Sequence, residues 1–197
     1  GGDCFFLSIC QSNIKLQTTS QQSTIIYVPT TQSSSDDAQC VRAIRKFIAD
    51  NLSEQQFKDY LETYNESRKI DRYKPAIPDN YTDFKKFFQT SSYYADDFFI
   101  RFLYLFTNLY PIILLDGVQQ NANKPAMKCF GKDSEVDLTT KQFVIFRHIE
   151  GGGGHYELIG YKASTDDEYR KLFTIETLPV FLRELLRVDC SVQIPSA

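Results

Sequence analysis

A mixed α/β domain with a small central sheet flanked by helices is predicted by three patterns. Apolar residues recur at three- and four-residue spacing through the first half of the chain, which is the helical period. Short apolar runs suited to strands, at 112–116, 127–130, 143–147 and 155–161, cluster in the second half. The chain has 197 residues, 42% hydrophobic and 24% charged, the make-up of an ordinary globular protein. That length supports one well-buried domain over residues 1–197.

The elements follow in order. Residues 4–12 are expected to form the first helix, with Asp3 as its cap and Phe5, Phe6, Ile9 and Cys10 on its packed side. A Gln/Ser/Thr-rich stretch, interrupted by the apolar run 25–28, reads as a polar insertion around 15–37. Val41, Ile44, Ile48 and Leu52 mark a long second helix, with Asp36 and Asp37 near its start, where the helix dipole favours negative charge. Residues 57–64 read as a third helix, 74–80 as a Pro-containing loop, and 81–89 as a short helix. Asp96 and Asp97 open the strongest helix, which includes Phe98, Phe99, Phe102, Leu103 and Leu109. Pro111 is expected to end it, and 112–116 to follow as a buried strand. Segments 143–147 and 155–161 are expected to pair antiparallel across a sharp turn at 150–154. An amphipathic helical extension at 174–187 closes the chain, with Leu178, Leu182, Leu185 and Leu186 on one side. No internal repeat is present.

A net charge of −3 supplies no dominant basic field, which argues against a nucleic-acid partner. The most apolar stretch, 98–115, is interrupted by Arg101 and Asn108 and reads as core, not as a membrane span. No signal-peptide pattern opens the sequence. The five cysteines, Cys4, Cys10, Cys40, Cys129 and Cys190, are odd in number and irregularly spaced, and there are two histidines, His148 and His155. No zinc-ligand spacing results, so no metal or other cofactor is expected. Buried free cysteines in a reduced, cytoplasmic setting are expected instead of a disulfide framework.

Chemistry concentrates at the two ends of this arrangement. In Gly2-Asp3-Cys4-Phe5-Phe6-Leu7 a thiol opens a helix, where free N–H groups and the macrodipole favour a thiolate. In Gly154-His155-Tyr156-Glu157, positions i and i+2 of a strand share a face, so Glu157 stands beside His155 and can accept a proton from its ring. Glycine before the histidine permits close approach of an extended peptide. A nucleophile on an early helix and a base on a late strand is the chain order of papain-like cysteine proteases.

The Gly-Asp-Cys-Phe-Phe helix start and the Gly-His-Tyr-Glu strand resemble the ovarian-tumour (OTU) family of deubiquitinating cysteine proteases. The helix at 41–51 and the pattern at 94–115 resemble that family's middle. The resemblance implies a papain-like fold and hydrolysis of the bond after the C-terminal glycine of ubiquitin or polyubiquitin. It implies Cys4 as nucleophile, His155 as general base, Glu157 as the orienting acid, and backbone N–H groups of Gly1, Gly2 and Asp3 as the oxyanion turn. Gly154 and Tyr156, flanking His155, are assigned to substrate binding. Gly1 stands where the family carries Asp, Asp3 where Asn is common, and Glu157 in place of Asp or Asn. The alternatives are a non-catalytic ubiquitin-binding module and a protease for another glycine-ended modifier or a polyprotein. With Gly1 in place of Met, a trimmed chain is expected, its two-glycine turn loosely ordered.

Overall fold

The computed structural model describes residues 2–17, 34–70, 76–121, 124–130, 136–149, 154–163 and 168–194. Among these, six α-helices accompany four strands: α1 (Cys4–Gln11), α2 (Ser34–Asn51), α3 (Glu54–Ile70), α4 (Tyr81–Phe88), α5 (Asp97–Phe106), β1 (Leu109–Asn121), β2 (Lys124–Lys128), β3 (Gln142–Ile149), β4 (His155–Ile159) and α6 (Val180–Asp189). The strands form one mixed sheet in the order β2-β1-β3-β4. β1 pairs antiparallel with β2 and parallel with β3, and β3 pairs antiparallel with β4. The mixed α/β class and the 143–147/155–161 pairing expected from sequence are both present.

Strand alternation divides the interior in two. Val144, Phe146, Tyr156 and Leu158 face the core built with α1 to α5. Phe143, Ile145 and Ile159 face the core built with α6. Phe5, Phe6 and Ile9 of α1 are each at most 1% exposed, and burial of such side chains contributes about 1.5–3 kcal/mol apiece. Phe5 stacks on Phe146 with ring centroids 4.7 Å apart and meets Tyr156 edge-on at 5.1 Å. These rings seat the start of α1 on β3 and β4.

Several boundaries differ from expectation. The strongest helix ends at Phe106, and Leu109 already belongs to β1. The helix thus ends before Pro111 is reached, and its C-terminus is met by Lys141, whose buried ammonium donates to the carbonyls of Tyr104 and Thr107, where a cation is favoured. Pro111 lies within β1 opposite Val144, before the point at Ile113 where β2 begins to pair, so its missing N–H falls where that ladder has not started. The polar insertion ends sooner than expected, because residues 34–37 already belong to α2; residues 18–33 lie outside the described residues. The C-terminal helix begins at Val180 after Pro179, with residues 175–177 in a turn, because proline is favoured just at a helix start.

The cysteines require a correction. Cys10 and Cys40 are disulfide-bonded with Cα atoms 6.1 Å apart, and Cys129 and Cys190 with Cα atoms 5.3 Å apart. The expected buried free thiols are therefore pairs, and Cys4 alone is free. The packing explains what spacing did not show: α1 lies against α2, and the end of β2 lies against the C-terminus of α6. No described helix is long and apolar enough to cross a membrane.

Candidate active site

Cys4 is the first residue of α1 and is partly exposed. Packing of Phe5 on Tyr156 brings it to the beginning of β4. The Tyr156 hydroxyl is held well above its ordinary pKa, chiefly by burial and then by the negative charge of Asp97. His155 opens β4, with Nε2 3.8 Å from Glu157 Oε1. The i, i+2 relation expected from sequence is thus realised. No hydrogen bond joins Cys4 to His155. Strand alternation accounts for this: Tyr156 and Leu158 turn toward the α1 core, while His155 and Glu157 occupy the other face of an edge strand. Among the described residues no group of three or more His, Cys, Asp or Glu side chains is placed to hold a metal.

Glu157 is shared. Arg147, opposite it in the β3–β4 register, donates at 3.5 Å to Glu157 and at 2.6 Å to Asp116 of β1. Asp116–Arg147–Glu157–His155 therefore forms a polar row across three strands. Arg147 is held above its ordinary pKa by the Asp116 hydrogen bond first, and more weakly by Glu157. The pattern of alternating residues marks Arg147 as outward-facing, but only the register shows which carboxylates it meets.

His148 has a definite place that sequence did not reveal. It pairs with Tyr156 across β3–β4, and their rings pack at a tilt of 34° with centroids 4.6 Å apart. A side chain on Gly154 would come within 2.9 Å of His148 Nε2, and Gly154 has φ +72°. Glycine is required there on both counts. His148 thus lies under the turn that delivers His155 to the strand. Residues 150–153, where a sharp turn was expected, lie outside the described residues.

The turn before Cys4 is anchored, against the expectation of a loosely ordered start. Gly1 lies outside the described residues. Gly2 is buried; its N–H donates to Ser91 O at 3.0 Å, and a Cβ on it would come within 2.3 Å of Tyr93 O. Asp3 occupies the N-cap position of α1, yet its side chain makes no capping hydrogen bond. Its carboxylate is taken by Arg45 of α2 through Nε at 3.0 Å and Nη2 at 2.8 Å. Arg45 is 1% exposed and also donates to the carbonyls of Gly2, Phe88 and Tyr93. Its guanidinium lies over the Phe6 ring, 4.1 Å from the centroid. Burial lowers its pKa, and the Asp3 carboxylate opposes that shift. A signal for Arg45 was available: it sits four residues after Val41 and three before Ile48, on the apolar stripe of α2, and a charge on such a stripe demands a buried partner.

No family model, curated protein or solved structure matches the chain.

Proposed function

We propose that this chain is a papain-like cysteine protease of OTU type that hydrolyses the bond after the C-terminal glycine of ubiquitin or polyubiquitin. The observation that carries the reading is the meeting of the start of α1 with the start of β4: Phe5, next in sequence to the one free thiol, packs edge-on against Tyr156, next in sequence to the His155–Glu157 pair. Cys4 thiolate attacks the glycine carbonyl, the N–H groups of Asp3 and the first turn of α1 hold the oxyanion, since Gly2 N–H is already bound to Ser91 O, and His155 delivers a proton to the departing amine. Water then hydrolyses the thioester with His155 as base. Glu157 orients the imidazole and Gly154 borders the entering tail; Tyr156, expected to bind substrate, is instead buried in the α1 core, where it holds β4 against α1. An expected cytoplasmic site of action belongs to this proposal and is opposed by the two disulfides, which ordinarily persist in oxidising compartments.

Reaction with an electrophilic probe on the ubiquitin C-terminus tests the reading. A covalent adduct mapped to Cys4 is expected. A folded protein that binds ubiquitin without forming the adduct supports the second reading, a non-catalytic ubiquitin-binding module, which the missing Cys4–His155 hydrogen bond favours. An adduct with a different glycine-ended modifier, and none with ubiquitin, would reassign the substrate.

A further inference from the structure

We propose that Arg45 is the positioning residue of the site: it presets the peptide before Cys4 and withholds the Asp3 carboxylate from the start of α1. This deepens the reading of Cys4 as nucleophile and rests on it.

Two of the four groups that accept from Arg45 belong to the residues immediately before Cys4, namely the Gly2 carbonyl at 2.9 Å and the Asp3 carboxylate. The other two, the carbonyls of Phe88 and Tyr93, lie at and beyond the end of α4. The guanidinium therefore ties the turn to a separate part of the fold. Gly2 N–H, bound to Ser91 O, is tied to that same part. The peptide plane makes the first consequence unavoidable. With the Gly2 carbonyl directed at Arg45, the Asp3 N–H of the same trans peptide points the opposite way. One orientation of the peptide is thereby fixed before any substrate arrives.

The second consequence concerns charge. An Asp at an N-cap ordinarily accepts a first-turn N–H. This chain does so at two other helices: Asp96 accepts from Phe99 N–H at α5, and Asn80 from Asp83 N–H at α4. Asp3 precedes α1 with helical backbone angles (φ −94°, ψ −11°), where Asn80 and Asp96 are extended, and its side chain caps nothing; Arg45 holds that conformation through the Gly2 carbonyl and the Asp3 carboxylate. A capping Asp3 would occupy an N–H group the oxyanion needs and set a negative charge beside the thiolate. Arg45 holds the carboxylate through two N–H groups on one oxygen, Oδ1, an arrangement that a lysine cannot reproduce together with three carbonyl contacts.

The test compares wild type, Arg45→Met, Arg45→Lys, and each of these combined with Asp3→Ala. Folding is checked by circular dichroism and thermal midpoint. Two readouts follow: turnover of a fluorogenic ubiquitin C-terminal substrate, and the rate of Cys4 alkylation by iodoacetamide with peptide mapping. Arg45→Met is expected to lower kcat about tenfold or more with KM within about twofold. It should slow Cys4 alkylation roughly threefold, since the freed Asp3 then acts at the helix start. Adding Asp3→Ala should restore most of the alkylation rate and part of kcat. If Arg45→Met does not fold, the Arg45→Lys pair is read in the same way. Wild-type kcat and alkylation in a folded single variant would overturn the proposal. So would a loss that Asp3→Ala leaves unrepaired, because Arg45 would then support the fold alone. If wild type turns over no ubiquitin substrate, the function reading fails by itself, and the alkylation series still decides the role of Arg45.

Discussion

Removing the Cys10–Cys40 cross-link should destabilise the protein by an amount set by the loop it closes. The two residues are 30 positions apart. In the chain-entropy account, closing a loop of that length in the unfolded state is worth about 3.7 kcal/mol at 25 °C. The pair also joins α1 to α2, the same two helices that Arg45 joins at the other end of α1. For a chain of this size each kcal/mol lowers Tm by about 2–4 °C, so Cys10→Ala with Cys40→Ala should lose roughly 7–15 °C. Alanine at both positions avoids a second free thiol competing with Cys4. Calorimetry gives the shift, and dithiothreitol supplies the control. Reductant should lower the wild-type Tm by more than it lowers that of the double variant, which retains Cys129–Cys190. That pair closes a 61-residue separation, worth about 4.3 kcal/mol on the same account. A Tm unmoved by reductant, or five reactive thiols in unreduced denatured protein where one is expected, would refute the pairing and the reasoning.

His155→Ala should cut kcat at least about a hundredfold while leaving Tm nearly unchanged, because the side chain is exposed and acts in proton transfer. His148→Ala should chiefly lower Tm, by loss of its packing on the Tyr156 ring; a larger kcat loss than for His155→Ala would place the base on the α1 face of the sheet. Gly154→Ala should cost about 1–3 kcal/mol, seen as a lower Tm, since it combines a left-handed backbone with a clash at His148; unchanged stability would contradict the local geometry. Asp96→Asn addresses pH. Burial raises the Asp96 pKa, and hydrogen bonds from Phe99 N–H, Tyr60 and Tyr93 only partly offset this. A raised folded value means that the stabilising contribution is complete below the unfolded value near 3.9 and is lost as pH rises through the folded value. Asparagine stays neutral, so the variant should gain in Tm relative to wild type between pH 4 and 7; a constant or reversed difference would reject the assignment.

Local signals carried much of the architecture. The apolar spacing of 41, 44, 48 and 52, the Asp96 start of α5 and the β3–β4 hairpin each depend on residues near one another in sequence. What was misread depends on distant partners. Pro111 looked like a helix stop because proline lacks an N–H, yet β1 tolerates it where β2 is not yet paired. The end of α5 is met instead by Lys141, 34 residues beyond the Thr107 carbonyl it binds. Cysteine spacing could not show the disulfides, because Cys10 meets Cys40 only through the packing of α1 on α2.

The candidate site divides along the same line. Cys4 at a helix start and Glu157 two residues after His155 are local statements, and both are realised in the backbone. Residues that hold them in place are not local: Arg45 lies 42 positions from Asp3, and Arg147 lies 31 from Asp116. His148 looked featureless until register set it against Tyr156. Each of these supports acts by fixing one degree of freedom of a group that sequence alone could name: the Gly2–Asp3 peptide by Arg45, the Glu157 carboxylate by Arg147, the turn at Gly154 by His148. Substitutions at the supports should therefore trade rate against stability in different proportions. Arg147→Met leaves the exposed Glu157 and His155 in place and removes only an orienting charge. It should lower kcat by a few-fold with Tm little changed, whereas Arg45→Met loses both, because a 1% exposed guanidinium with four acceptors belongs to the core as much as to the site.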